Sequence, residues 1–132
     1  MKRFLLLLMI SVIGVTAYSQ SIQYFRTTSF AYRYVNYGTW TDWSNWQECN
    51  VNIKFDFNND VIYIYSDKTQ IYKVLYQEEN PYDSSGQQVK FRVLDQDGDY
   101  GHIRLRIENN GNSQIYVDFS NVSWVYNVRR TR

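Results

Sequence analysis

The alternation of apolar and polar residues is the feature that most constrains how this chain can fold. Val51, Ile53, Phe55 and Phe57 are separated by single polar residues, and the same period of two returns in the later segments. A period of two places successive side chains on opposite faces of a β-strand, one dry and one wet. The pattern therefore predicts half-buried strands for most of the chain.

The composition of residues 20–132 agrees with this prediction. This stretch holds one alanine and three leucines but ten valines and eight isoleucines. Alanine and leucine favour helices, whereas β-branched residues fit the pleated, half-buried surface of a sheet. The length suits one core. We therefore expect residues 20–132 to form a single all-β domain.

Turn-forming residues divide the alternating pattern into seven or eight strands. Four of these turns fall at Asn59-Asp60, Asp67-Lys68, Asp97-Gly98-Asp99 and Asn109-Asn110-Gly111-Asn112, and a longer loop spans Glu78 to Gln87. Short connections join antiparallel neighbours, which predicts a meander. Closure into an up-and-down barrel of the calycin or lipocalin type removes the sheet edges, and a β-sandwich is the alternative.

Two details of this barrel follow from the same pattern. A two-residue turn at Asn59-Asp60 would pair Phe57 with Ile62 and, further along, Phe55 with Ile64. The segment Ile22 to Tyr37 is expected to be one long aromatic strand, either straight or with a bend or bulge near its middle.

The first nineteen residues have the features of a secretory signal peptide. Lys2 and Arg3 precede an apolar run from Phe4 to Ala17, and Ala17-Tyr18-Ser19 supplies small residues for cleavage. The run is too short for a membrane span, and no cysteine follows it for a lipid anchor. We expect export to the periplasm or the extracellular space, with no membrane span after cleavage before Gln20.

Charge and cysteine content exclude several classes of protein. Without Lys2 and Arg3, the 14 basic residues become 12 against 13 acidic ones, which gives no reason to expect nucleic acid as a partner. Cys49 is the single cysteine, so no intramolecular disulfide can form. We expect it to be buried as a small apolar residue.

The residues offer little basis for catalysis, and we predict no enzyme and no catalytic residue. His102 is the single histidine, and no serine or cysteine motif accompanies it. The stretch Asp95-Gln96-Asp97-Gly98-Asp99 begins like a calcium loop. Tyr100 and Arg106, however, stand where that loop needs glycine and glutamate. We therefore expect no metal and no cofactor.

Trp40, Trp43 and Trp46 form the first candidate site. Exposed tryptophans could stack on a sugar or an aromatic ligand. The alternative is structural, with the rings plugging one end of the barrel or clasping the first strand. The three-residue spacing is similar to the tryptophan motif of thrombospondin repeats. Those repeats carry paired cysteines and layered arginines, which we expect this chain to lack, so the likeness stops at the spacing.

A basic patch forms the second candidate site. Pairing Phe91 with Leu105, and Leu105 with Val117, would collect four cations on the outer face with Asp118 as their one carboxylate. Such a surface could receive an acidic partner surface or an anionic ligand, and the alternative is a solvated face screened by salt. The candidate partner-binding residues are Lys90, Arg92, Arg104, Arg106 and Tyr116.

Two runs of the chain carry a family resemblance. Residues Trp40 to Lys73 and Asn112 to Val128 resemble uncharacterised small exported proteins of gut Bacteroidota and their phages. Members of that group are expected to be compact β-barrels. The resemblance implies export and a barrel, and it carries over no catalytic or binding residue.

These observations predict an exported, non-catalytic binding or interaction protein of the inhibitor, immunity or envelope accessory type. Its partner would be another exported protein. The alternative is a carrier of a small ligand or glycan in an aromatic barrel mouth lined by the three tryptophans. The sequence leaves the ligand and the oligomeric state open.

Overall fold

The computed structural model describes residues 22–78, 86–110 and 112–131. The signal peptide predicted for residues 1–19 lies outside the described residues. The described residues form ten strands: β1 Ile22–Asn36, β2 Thr39–Trp40, β3 Gln47–Glu48, β4 Asn52–Asp56, β5 Val61–Ile64, β6 Gln70–Glu78, β7 Gly86–Leu94, β8 Tyr100–Glu108, β9 Ser113–Asp118 and β10 Val122–Arg130. No helix long and apolar enough to cross a membrane occurs among these residues.

Eight of the strands close into an antiparallel barrel. Strands β4 to β10 form a meander in which each strand pairs with the next, and β1 lies between β4 and β10 and closes the sheet. The two short strands, β2 and β3, pair with β1 as additions to the barrel. The predicted all-β closed barrel is therefore confirmed, and the β-sandwich alternative is not what forms.

The interior of the barrel is filled by side chains, as expected for eight strands. Four phenylalanines form its centre. Phe55 contacts Phe25, Phe57 and Phe91 in edge-to-face geometry, with ring centroids 5.4, 5.8 and 6.0 Å away. Their inward direction confirms the faces that the alternating pattern predicts.

The β4–β5 hairpin corrects one predicted register. Phe55 pairs with Ile62 rather than Ile64, because residues 57–60 form a four-residue loop rather than a two-residue turn. The observed register differs from the predicted one by two residues, an even number, so every side chain keeps its predicted face.

Asp56 organises this loop from a buried position. Its Oδ1 accepts hydrogen bonds from the backbone N–H groups of Asn58, at 3.1 Å, and Asn59, at 3.2 Å. Its Oδ2 accepts a third from the side-chain amide of Asn59 at 3.0 Å. The loop closes with Asp60 in the left-handed region, at φ 56°.

We expect Asp56→Ala to lower the free energy of unfolding by about 1–3 kcal/mol, because the donors of Asn58 and Asn59 would lose a carboxylate acceptor. Urea denaturation measures the loss. Asp56→Asn is the matched control, since it keeps an acceptor oxygen and should recover much of the stability. Equal stability of wild type and Asp56→Ala would show that the carboxylate does not hold the loop.

The long first strand contains a bulge, the second of the two predicted alternatives, and this bulge decides which β1 side chains face outward. The pairing of β1 with β10 slips between Thr27 and Ser29. Before this bulge Phe25 and Thr27 are buried, and after it Phe30 packs against the core. The change of parity places Arg33 on the outer wall of the barrel.

Candidate functional site

The tryptophan segment, residues 39–48, runs along the C-terminal half of β1, the part of β1 that does not pair with β4. Its contacts with β1 recur at every third residue. The backbone of Thr41, Ser44 and Gln47 meets Tyr34, Tyr32 and Phe30, respectively. Three residues of the segment therefore run alongside two residues of β1. Every third side chain of the segment consequently has a similar position relative to β1.

The segment also completes the hydrogen bonding of this edge of β1. The hydroxyl of Ser44 accepts from the N–H of Tyr32 at 3.0 Å, and that of Thr41 accepts from the N–H of Tyr34 at 3.1 Å. Side-chain oxygens thus replace the missing neighbour strand. Of the two structural roles predicted for this region, the structure shows the clasp on the first strand.

The three tryptophans remain exposed on the outside of the barrel. Trp40 and Trp43 are each 38% exposed and Trp46 is 50% exposed. The ring of Trp43 meets Tyr116 of β9 edge-on, with centroids 6.3 Å apart. Trp46 has no ring or cation contact among the described residues. The candidate site therefore retains Trp40 and Trp43 and leaves Trp46 aside.

Arg33 lies between two of these rings. Its guanidinium carbon is 4.7 Å from the ring centroid of Trp40 and 4.7 Å from that of Trp43, within the range of a cation–π contact. One layered arginine is thus present, contrary to the sequence expectation, because β1 supplies it from outside the tryptophan segment. Its Nε is buried and finds no hydrogen-bond partner in the described part of the chain. No described carboxylate pairs with it.

The strand registers beneath the basic patch differ from the predicted ones. Phe91 pairs with Ile103 rather than Leu105, and Leu105 pairs with Ile115 rather than Val117. Both displacements are of two residues, so the outward faces are as predicted while the cross-strand neighbours change.

Arg104 is the centre of the rearranged patch. It stands opposite Lys90 on one side and Tyr116 on the other. Its guanidinium carbon lies 4.0 Å from the ring centroid of Tyr116, and its Nε donates to Asp118 Oδ2 at 2.6 Å. The buried Ser123 hydroxyl donates to the other oxygen of Asp118.

The two candidate sites therefore meet on one wall. Tyr116 touches Trp43 on one side and Arg104 on the other. The result is a continuous row that we call the aromatic–arginine row. It consists of Trp40, Arg33, Trp43, Tyr116 and Arg104.

The patch is also less strongly positive than predicted. Glu78 of β6 pairs with Lys90 at 3.6 Å, and its Oε2 lies 2.9 Å from His102 Nε2. Burial raises the pKa of Glu78, but the His102 hydrogen bond and the nearby Lys90 outweigh it, so the pKa falls below its usual value.

The two remaining patch residues lie away from the row. Arg92 is placed over the ring of Tyr100 at 5.3 Å, and Arg106 pairs with Glu108 at 3.9 Å. The expectation of four cations with one carboxylate is therefore wrong, because Glu78 and Glu108 join Asp118.

A groove of about 280 Å³ opens beside the row on the outer wall. Its lining combines one exposed indole ring, cations, a carboxylate and neutral polar groups. The lining residues are Arg33, Trp40, Gln88, Lys90, His102, Arg104, Asp118, Phe119 and Ser123. The wall thus presents aromatic and charged groups together in one concave surface.

The barrel mouth forms a second region of interest. One cleft of about 470 Å³ has apolar walls from Phe30, Val51 and Tyr126, with Cys49 beside them. A second cleft, of about 400 Å³, is lined in part by Trp124. The tryptophan segment does not line either cleft, so the prediction that its rings form the mouth is wrong.

Cys49 is half-buried rather than fully buried. It packs against the core, and its Sγ lies 3.3 Å from the hydroxyl oxygen of Thr27.

Two buried tyrosines close the floor of the mouth. The hydroxyl of Tyr72 donates to Gln70 Oε1 at 2.6 Å. Burial raises the pKa of both Tyr72 and Tyr126. In each case the neutral phenol is favoured because a buried phenolate would lose its hydration.

We expect this burial to limit stability in alkali. An unfolded phenol ionises near pH 10, whereas the folded pKa of Tyr72 is higher, so the stability present below pH 10 is lost as pH rises beyond it. One such group contributes a slope of about 1.4 kcal/mol per pH unit. Urea denaturation between pH 9 and 11 measures the slope, and Tyr72→Phe should flatten it. An unchanged slope in Tyr72→Phe would contradict the assignment.

The aspartates of the β7–β8 turn have a structural role. Asp95 Oδ1 accepts from the N–H groups of Asp97, at 2.9 Å, and Asp99, at 2.8 Å. Across the described residues, no cluster of three or more histidine, cysteine or acidic side chains is placed to hold a metal ion.

No known protein family, curated protein or solved structure matches this chain. Its function is therefore inferred from the geometry of the wall and the mouth.

Proposed function

We propose that this chain is an exported, non-catalytic binding protein whose binding site is the outer-wall groove beside the aromatic–arginine row. The observation that carries the proposal is Arg33, held between two tryptophan rings with a buried Nε that no described residue satisfies. A buried donor without a partner costs free energy. The guanidinium charge also has no carboxylate partner among the described residues, so an anionic ligand group in the groove would pair with it.

The pairing of the acidic and basic groups supports a binding role over catalysis. Asp118 is bonded to Arg104, and Glu78 is shared by Lys90 and His102. A general base must reach a substrate proton with a group able to accept it. Both carboxylates beside the groove are instead engaged in neutralising cations.

The proposal is tested by glycan and acidic-peptide arrays probed with the purified protein. The glycans or peptides that bind should shift the tryptophan fluorescence of the protein. Arg33→Gln should weaken their binding at least tenfold. Arg26→Gln is the matched control, because Arg26 is an exposed arginine of the same strand that bonds Asn50 instead of stacking on rings. Binding that is indifferent to Arg33→Gln would place the site elsewhere.

Export is part of the same proposal. Protein secreted by the native host should begin at Gln20, within a residue or two, when its N-terminus is determined by mass spectrometry. Intact Met1 on protein recovered from the cytoplasm would contradict export.

A second candidate function is a carrier of a small ligand at the barrel mouth. The observation that favours it is the cleft of about 470 Å³ with its walls of Phe30, Val51 and Tyr126. Its volume falls within the range of about 300–1,000 Å³ typical of small-molecule sites. Val51→Phe should fill this cleft and abolish mouth binding, while groove binding that depends on Arg33 should persist.

A further inference from the structure

We infer that the groove binds an acidic sugar, a saccharide unit that carries a single carboxylate. This inference rests on the proposed binding function of the groove and names the chemical class of its ligand.

The charge balance of the wall favours one negative charge. Lys90 pairs with Glu78 and Arg104 pairs with Asp118, so of the three lysine and arginine cations that line the groove Arg33 is left over. Arg33 is the cation that has no carboxylate of its own among the described residues. A single carboxylate neutralises it. An acidic protein surface would bring further carboxylates against the two already present.

The size of the groove favours one ring. Its volume of about 280 Å³ lies just below the range of about 300–1,000 Å³ that holds drug-sized ligands. Trp40 lines the groove with a ring that remains 38% exposed. An indole ring offers a flat apolar surface with a polar edge, which suits the C–H face of a pyranose.

The polar lining suits hydroxyl groups, which both donate and accept hydrogen bonds. Asp118 and Gln88 supply acceptor oxygens, and Lys90 and Arg104 supply donors. Arg104 also approaches Gln88 Oε1 at 3.4 Å, so donor and acceptor positions alternate across the wall. A purely apolar or purely anionic ligand would use only part of this lining.

The site is also held in place before binding. Arg33 is fixed between two rings, and Arg104 is fixed by Asp118 and by Tyr116. Side chains that are ordered in advance lose little further entropy when a ligand arrives. Such ordering is useful for a small ligand with few contacts.

The test compares D-glucuronate with D-glucuronamide, which has the same ring without the charge, in tryptophan fluorescence titrations at low salt. We expect wild type to bind glucuronate at least tenfold more tightly than the amide. Arg33→Gln should reduce this ratio to about one, whereas Trp40→Ala should weaken both probes. Arg26→Gln should leave the ratio unchanged. Circular dichroism of each variant should match wild type.

N-acetylneuraminate and a hexaglutamate peptide complete the experiment. Binding of either acidic sugar with the stated dependence on Arg33 supports the inference. Failure of both acidic sugars to bind, or equal binding of acid and amide, overturns it. Binding of hexaglutamate alone, lost in Arg33→Gln, overturns the sugar assignment while the proposed binding function stands. Binding indifferent to both Arg33 and Trp40 overturns the proposed function as well.

Discussion

Phe55→Ala should lower the free energy of unfolding by about 3–5 kcal/mol, the largest loss that we expect from a single substitution. Phe55 is fully buried, and its ring contacts three other phenylalanines at the centre of the barrel. Removing it leaves a cavity that strands on opposite sides of the interior cannot collapse to fill, because the closed hydrogen-bonded sheet holds them apart. Urea denaturation with an unchanged m value would measure the loss.

Lys54→Ala is the matched control for this substitution. Lys54 is the neighbour of Phe55 on the same strand but faces outward, 5.5 Å from the ring centroid of Tyr63. Loss of that contact should cost less than about 1 kcal/mol. If Phe55→Ala cost no more than Lys54→Ala, the phenylalanine cluster would not be the centre of the core.

Gly101→Ala should destabilise the protein by about 1–3 kcal/mol through overpacking. A Cβ at this buried position would lie 2.7 Å from the backbone oxygen of Asp118 and 2.8 Å from two ring carbons of Phe119. Neither neighbour can move freely, because one is sheet backbone and the other packs against Tyr72 and Trp124. Denaturation measures the cost.

Gly101→Ala should also weaken ligand binding at the groove, because it displaces Asp118, the residue that holds Arg104. Gly98→Ala is the comparison. Gly98 has φ +89°, and there is open space where a Cβ would lie. Gly98→Ala should therefore lower the free energy of unfolding by about 1–2 kcal/mol through backbone strain alone. Groove binding should survive in Gly98→Ala. Equal effects of the two variants on binding would show that the groove does not depend on the position of Asp118.

The sequence identified most residues of the two candidate sites by their type, but it did not predict that the two sites meet. Tryptophans and a basic patch could be recognised along the chain, and Trp40, Trp43, Lys90, Arg104 and Tyr116 do lie on one wall. Their convergence could not be predicted, because it depends on closure of β1 against β10.

Arg33 was missed because nothing local distinguishes it. It precedes Trp40 by seven residues and appears as one polar residue among the tyrosines of β1. The one sequence feature that bears on Arg33 is the bend or bulge considered for this strand, because a bulge changes which side chains after it face outward. Only the position of the bulge, between Thr27 and Ser29, assigns Arg33 to the outer wall.

What the sequence determined by itself is the strand pattern, the inward and outward faces, and the all-β barrel. These follow from alternation with period two, a property that each strand carries locally. The tertiary structure alone decided the registers, such as Phe55 with Ile62 and Phe91 with Ile103. A displacement of two residues leaves the alternation unchanged, so the pattern cannot detect it. Loop hydrogen bonds and barrel closure choose the register, and the register decides which charges and rings meet in the groove.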